Sequence, residues 1–313
     1  MALPKNKAWL LKGCLLVSLV LSGCGGQALS EREIVRGVFF AGQDGGYSAC
    51  LVLADQEAES NADTEHKIAA GQGQTPAQAL QRAEESLYGD VYYGLLDLAV
   101  LPADSSWQTA QEIGTLLYEN AQPAPELAVF LLGEEPVKSW AEEGSTIYRR
   151  LKAVEQTAQV HCGLQQLFTS SDVCALPALS DGAAYDFVLL PQNGDAVRSS
   201  GMTAQLAAVL CGQTTRMEGT FAFGAGRCRA RAQVTMEGNH VRLHLRDAEF
   251  QSLDPSMQDI EAAFCGELQQ AFTELCRQVQ ATGTDPFSFR IWQFSTYGTN
   301  AVPANPVLDI LIE

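Results

Sequence analysis

The sequence predicts a multi-domain α/β protein with mixed, mostly antiparallel sheets flanked by helices. Through the first half of the chain, helical patterns alternate with continuous apolar strands, which is typical of α/β folds. Near the C-terminus, two strands of alternating polarity are joined by Gly238-Asn239. A helical pattern then covers residues 255–281, a length of about 40 Å, and we expect this helix to pack on a sheet.

The chain divides into five predicted segments. They are a lipoprotein signal peptide at 1–23, a tether at 24–30, an N-terminal α/β domain at 31–178, a linker at 179–200 and a C-terminal α/β domain at 201–313. The linker is placed where Ser180-Asp181-Gly182 and Gln192-Asn193-Gly194-Asp195 cluster turn-forming residues. A length of 313 residues is itself typical of about two domains.

The N-terminus has the pattern of an export signal. Three lysines precede an apolar run from Cys14 to Leu21, which is too short to cross a bilayer. The tetrapeptide Leu21-Ser22-Gly23-Cys24 resembles the bacterial lipobox, whose cysteine receives a diacylglyceryl group and becomes the first residue. We therefore predict lipidation of Cys24 and a membrane anchor formed by its acyl chains. The alternative is an ordinary signal peptide in which Cys24 has no role.

The N-terminal domain is predicted from local patterns. A hairpin at 34–54 turns at Asp44-Gly45-Gly46, and a polar stretch follows to Gln74. Thr75 and Pro76 are typical of a helix start. The further expected elements are a strand at 91–101, a helix at 107–120, a strand at 126–132, a helix after Ser145, and a segment at 164–168 that leads into a strand near Pro177.

The C-terminal domain is predicted to carry a basic face. Along the 226–246 hairpin, apolar residues alternate with polar ones, so one face is buried and the other is exposed. Asp254-Pro255 is expected to start the long helix, Gly283 to end it, and Val307–Ile312 to form a last strand. The exposed arginines are Arg227, Arg229, Arg231, Arg242 and Arg246.

This basic face has two interpretations. Arg231 is predicted to lie opposite Arg246, an unfavourable pair of like charges. Either acids such as Asp247, Glu249 or side chains of the long helix neutralise the arginines, or the face is a docking patch for an acidic partner or lipid headgroups.

The cysteines do not suggest a disulfide framework. After loss of Cys14 and acylation of Cys24, an odd number at irregular spacing remains. Cys162 and Cys174 are a plausible single pair, and most of the others are expected to be buried small hydrophobic residues. The remaining cysteines are Cys50, Cys162, Cys174, Cys211, Cys228, Cys265 and Cys276.

No catalytic, cofactor or metal motif is recognised. Gly71-Gln72-Gly73 lacks the third glycine of a dinucleotide loop, and His161-Cys162 has no evident acid partner. Arg242 lies between His240 and His244 and would repel a dication. With 37 acidic against 20 basic residues, the charge of −17 argues against nucleic acid and against a polybasic membrane contact.

The order of these segments resembles the Ger(x)C family, the C-subunit lipoproteins of spore germinant receptors. The resemblance covers nearly the whole chain, and departures at Gly25-Gly26, Leu95-Leu96 and Ser288 make it that of a divergent member. The matching landmarks are Cys24, Arg32-Glu33-Ile34, Gly42-Gln43-Asp44, the helix 75–87 before Tyr92-Tyr93-Gly94-Leu95-Leu96, the segment 164–168 with Pro177, and the long helix ending in Gly283-Thr284-Asp285-Pro286-Phe287-Ser288-Phe289.

The resemblance implies a lipid-anchored, non-enzymatic subunit on the outer face of the spore inner membrane. Its implied partners are the family's multi-spanning A and B subunits, and no catalytic residues are transferred. A solute-binding lipoprotein of an ABC-type transporter is the alternative, and it predicts a ligand-filled cleft between two similar lobes. A third class, an envelope hydrolase, needs a nucleophile and a base that the sequence does not display.

Overall fold

The computed structural model describes residues 32–43, 45–54, 66–121, 127–133, 137–169, 172–180, 185–255, 257, 259–299, 302–303 and 305–313. Within these ranges the chain forms two mixed sheets with helices against them, so the predicted mixed α/β class is confirmed. The predicted signal peptide, the tether and Cys24 lie outside the described residues.

The elements are numbered here in chain order. The helices are α1 (Pro76–Glu85), α2 (Trp107–Asn120), α3 (Trp140–Ala158), α4 (Gly201–Leu210), α5 (Ile260–Thr282) and α6 (Phe289–Tyr297). The strands are β1 (Arg32–Gln43), β2 (Gly46–Leu53), β3 (Ile68–Gly73), β4 (Asp90–Tyr92), β5 (Leu98–Leu101), β6 (Ala128–Leu131), β7 (Val173–Leu179), β8 (Tyr185–Pro191), β9 (Val197–Ser199), β10 (Arg216–Phe221), β11 (Gly226–Glu237), β12 (His240–Ser252) and β13 (Val307–Ile312).

The larger sheet has the strand order β3-β2-β1-β5-β6-β7-β8-β9, with β4 also paired to β1. Strands β1, β5, β6 and β7 run parallel, and antiparallel strands flank them on both sides. One face packs on α1 and α2 through residues such as Phe40 and Leu101, while the other packs on α3 through Phe39 and Phe130. Burial on both faces explains why these strands are continuously apolar.

The smaller sheet has the order β10-β11-β12-β13, and α5 packs on one of its faces. Phe264, Leu268 and Leu275 of α5 are fully buried, as are Leu243 and Leu245 of β12. These residues belong to the same apolar cluster as the α3 side of the larger sheet. The predicted packing of a long C-terminal helix on a sheet is therefore observed.

The prediction of a linker at 179–200 is partly wrong. Residues 185–191 and 197–199 form β8 and β9, which are strands of the larger sheet. The cluster Gln192-Asn193-Gly194-Asp195 joins these two antiparallel strands, so it marks a hairpin turn and not a domain boundary. Turn-forming residues look alike in sequence in both settings.

Several element boundaries also differ from the predictions. The strand expected at 91–101 is interrupted, because a turn at Tyr93–Leu96 separates β4 from β5, and both segments pair with β1. The polar stretch before Gln74 contains β3. The long helix begins at Ile260 instead of residue 255, since the Asp259 side chain caps it by accepting from the Ala262 N–H. Helix α3 begins at Trp140, before Ser145, and α6 is not predicted at all.

Gly71 and Gly73 serve the packing of α1 on β3. A Cβ atom at Gly71 would lie 2.3 Å from the Ala83 nitrogen and 2.5 Å from the Ala79 oxygen, both of which are helix backbone atoms. At Gly73 it would lie 2.5 Å from the Ala79 nitrogen. These glycines therefore let helix and strand approach closely, which accounts for the Gly-x-Gly pattern without a nucleotide.

We predict opposite effects for two glycine-to-alanine changes. Gly71→Ala should lower the free energy of unfolding by about 1–3 kcal/mol, because backbone must move to admit the methyl group. Gly266→Ala, on an open face of α5, should raise it by about 0.5–1 kcal/mol through helix propensity. Urea denaturation of both variants checks this, and a Gly71→Ala protein as stable as the wild type would contradict the packing argument.

Candidate functional site

The β11–β12 hairpin carries the predicted arginines on its solvent face. In a strand, alternate residues point to opposite sides, and Cys228, Ala230 and Ala232 of β11 fill the buried side. The side chains of the five arginines are between 44% and 77% exposed. Together Arg227, Arg229, Arg231, Arg242 and Arg246 form what we call the arginine face.

Each residue of the arginine face lies beside a carboxylate. The pairs are Arg227–Glu218 at 3.0 Å, Arg229–Glu218 at 3.2 Å, Arg231–Asp247 at 2.7 Å, Arg242–Glu237 at 2.6 Å and Arg246–Glu313 at 3.6 Å. The structure thus matches the interpretation in which acids neutralise the arginines. Both acids that the sequence suggests lie near arginines. Asp247 pairs with Arg231, and Glu249 lies opposite Arg229 in the ladder.

A β-bulge makes one of these pairs possible. Arg231 does lie opposite Arg246, as predicted, and the register shifts between Arg229 and Arg231. At the bulge Asp247 takes a left-handed conformation with φ of 51°, and its carboxylate accepts from the Arg231 Nε at 2.7 Å. The bulge therefore places the Asp247 carboxylate next to the two facing arginines, Arg231 and Arg246.

Glu218 on β10 is the centre of the largest group of charges on this face. Its carboxylate accepts hydrogen bonds from Arg216, Arg227 and Arg229. Desolvation alone would raise the pKa of Glu218, but hydrogen bonds from Arg229 and Arg216 outweigh it and leave that pKa lowered. Glu218 could not be recognised from the sequence, because only the β10–β11 register brings it beside the arginines.

A second charged cluster ties β1, β5 and α3 together. Arg36 donates to Asp97, whose carboxylate also accepts from the Tyr148 hydroxyl at 3.1 Å. The Lys152 Nζ lies 3.9 Å from Asp97 and also pairs with Glu155. Burial, followed by the charge of Asp97, raises the pKa of Tyr148, which remains a hydroxyl donor. This cluster holds the helix on the sheet and was not predicted.

An open cleft adjoins the arginine face. Its volume is about 820 Å³, and it lies between the end of β11 and α6. Phe287, Phe289 and Trp292 line its apolar part, while Arg231 and Arg246 stand at its rim. The end of α4 and the segment that follows it, residues 209–215, complete the lining. The two sheets are not alike, since one has nine strands and the other four among the described residues.

His161 and Cys162, which the sequence does not support as a catalytic dyad, contact different partners in the structure. The His161 Nδ1 lies 3.4 Å from Glu155, while the Cys162 thiol approaches the Ala175 carbonyl oxygen at 3.7 Å. Burial raises the pKa of Cys162, so its thiol stays protonated at neutral pH. His240 pairs with Asp309 at 2.9 Å. In the described part of the chain, no three His, Cys, Asp or Glu side chains are grouped as metal ligands.

The seven cysteines of the described ranges are free thiols. Cys162 and Cys174 do not form the disulfide that the sequence suggests as a plausible pair. Cys50, Cys162, Cys174 and Cys228 are buried. Desolvation raises the pKa of Cys174 to about 11 and that of Cys228 to about 12, so both behave as small apolar residues.

The fold and these sites define a mixed α/β protein whose charged side chains are paired with one another over the arginine face. No helix within the described ranges is both long and apolar enough to cross a membrane. No protein-family model matches the chain, and no curated protein matches it.

One solved structure similar to this chain is described as the crystal structure of the GerBC protein. The similarity covers 88% of this chain and 96% of the other, with a TM-score of 0.44 and 10% sequence identity. At these values no conclusion about function follows from the likeness.

We predict that Glu218→Gln destabilises the protein at pH 7 by about 1 kcal/mol, through loss of its charged hydrogen bonds. Because the folded pKa of Glu218 is lowered, its stabilisation is present above the ordinary value of 4.5 and is lost as the pH falls through the folded value. The difference between variant and wild type should therefore disappear in acid, as measured by urea denaturation from pH 7 to pH 3. Glu249→Gln is the matched control with a smaller expected effect, and a pH-independent difference for Glu218→Gln would contradict the assignment.

Proposed function

We propose that this chain is a lipid-anchored, non-enzymatic subunit of a membrane receptor complex that starts spore germination in response to nutrients. The observation that carries the proposal is the ordered series of sequence landmarks. It begins with the lipobox at Leu21–Cys24, continues with Arg32-Glu33-Ile34, and ends with Gly283 and the Phe287-Ser288-Phe289 segment.

The positions of the landmarks in the fold support the resemblance. Arg32-Glu33-Ile34 begins β1 and pairs with β4. Gly283 ends α5 in a left-handed conformation with φ of 68°, which favours glycine. Phe287 and Phe289 are 4% and 2% exposed and pack on each other with ring centroids 5.4 Å apart. These landmarks are therefore fold-determining residues.

The reactive side chains of the described clusters have structural partners. Buried thiols have raised pKa values, His161 is turned toward Glu155, and the arginines are paired with acids. A hydrolase needs a nucleophile within hydrogen-bond reach of a base, and none of the clusters described above has that geometry. The partners we propose are the multi-spanning A and B receptor subunits, at the outer face of the spore inner membrane.

The solute-binding alternative is less well supported. Such proteins bind their ligand in a cleft between two similar lobes. The cleft here is bordered by the four-stranded sheet, α6 and residues 209–215, and the nine-stranded sheet of the described residues does not resemble the four-stranded one.

Cys24→Ala should release the chain from the membrane, since the variant has no thiol to accept the diacylglyceryl group. Cys265→Ala is the matched control and should leave the chain in the membrane fraction, because this half-buried thiol lies on α5. Membrane fractionation followed by immunoblotting measures the distribution. Retention of Cys24→Ala in the membrane would contradict the anchor.

Spores that lack the chain should lose germination in response to the nutrients that its complex senses. Germination by a trigger that bypasses nutrient receptors should be unchanged. The loss of optical density of a spore suspension measures both, and restoring the wild-type chain should restore the nutrient response. Normal nutrient germination together with loss of uptake of one solute would favour the transporter alternative instead.

A further inference from the structure

Helix α6 presents large apolar side chains to solvent. It packs on the body of the protein through Phe289, which is buried, and Gln293, which donates to the Gly238 carbonyl oxygen. Around the rest of its circumference the exposed fractions are 69% for Ile291, 42% for Trp292, 63% for Phe294 and 52% for Tyr297. So many exposed large residues on a nine-residue helix indicate a contact surface.

Helix α6 starts at the edge of the larger sheet where its parallel strands begin. We call this the N-terminal edge and define it by Arg32 of β1 and Val173 of β7. The Arg290 Nη1 lies 3.8 Å from the Asp172 carboxylate, directly before β7, and Ile291 lines a surface pocket with Asp172 and Val173. Three strand spacings separate β1 from β7, so these two strands lie about 14 Å apart across the sheet.

Other exposed aromatic residues lie at the same edge. Tyr88 is fully exposed two residues before β4, which begins beside Arg32. Tyr118, 64% exposed, is at the end of α2, which returns from the far end of β5 to the start of β6. Phe168, 44% exposed, ends the short 3-10 helix that leads into β7. The N-terminal edge is thus bordered by aromatic side chains from separate elements.

The predicted anchor brings this edge close to the bilayer. From Cys24 to Arg32 the chain advances eight residues, which span at most about 28 Å when fully extended. The N-terminal edge therefore stays within that distance of the membrane surface if Cys24 is acylated. Helix α6 begins beside Asp172, about 14 Å across the same edge from β1, so the tether can bring it to the headgroups.

We propose that α6 is a second membrane contact, whose Ile291, Trp292, Phe294 and Tyr297 side chains insert into the headgroup region of the bilayer to which Cys24 is anchored. This inference rests on the lipid anchor of the proposed function. Tryptophan and tyrosine favour this region, because their rings are apolar and their polar groups still reach water. The contact is apolar, since the chain carries a charge of −17 and Arg290 is paired with Asp172.

Bilayer insertion can be measured through Trp292. The acylated chain, purified from membranes, is reconstituted into phosphatidylcholine vesicles with and without brominated lipid, which quenches tryptophan at bilayer depth. Trp107 and Trp140 begin α2 and α3, helices that follow the far ends of β5 and β6, so neither should be quenched. We expect quenching in the wild type, its loss in Trp292→Phe, and no change in the matched control Trp107→Phe. The quenching of Trp292 should also be insensitive to salt, because the proposed contact is apolar.

Three results would overturn the inference and remain distinguishable. A chain that stays on the vesicles with Trp292 unquenched overturns this inference alone and leaves the anchor intact. A chain that does not stay on the vesicles overturns the inference together with the anchor. Protection of Trp292 from aqueous acrylamide only in native membranes that contain the receptor subunits would assign α6 to a protein partner instead.

Discussion

Burial of both faces of the parallel strands is the constraint on which the rest of this structure depends. Strands β1, β5, β6 and β7 are apolar on both sides, so helices must cover each face and return the chain to the edge where every strand begins. The N-terminal edge therefore collects the start of β1, the end of α2 and the segment before β7. Arg32, where the described chain begins, and the start of α6 beside Asp172 both lie at this edge.

The charged side chains of the arginine face act on their immediate neighbours. The arginine face appears basic along β11 and β12, but cross-strand and β10 carboxylates neutralise it residue by residue. Because its arginines are paired with carboxylates, the arginine face stabilises the hairpin and offers little net charge to an acidic partner. The whole chain carries a charge of −17, so the membrane attachment that we propose depends on acyl chains and apolar side chains and not on basic residues.

Elements with local signals could be predicted from sequence, and those defined by distant contacts could not. Helix α2 has the predicted bounds because Ser106 caps it and its apolar spacing is regular. The hairpin turn at Gly238-Asn239 was predictable from alternation and turn chemistry. By contrast, β8 was assigned to a linker because turn-forming residues flank its apolar run Phe187–Leu190. The role of Glu218 depends on the β10–β11 register. Helix α6 was missed because its apolar side chains surround it and give no single buried face.

The proposed receptor role is tested most directly by identifying the partners of this chain in the cell. Cross-linking in intact membranes, followed by mass spectrometry of the peptides joined to this chain, identifies what it contacts. If the chain is a receptor subunit, we expect cross-links to multi-spanning A- and B-type receptor subunits. Cross-links to a permease and its ATPase, with none to such subunits, would contradict it and assign the chain to solute transport.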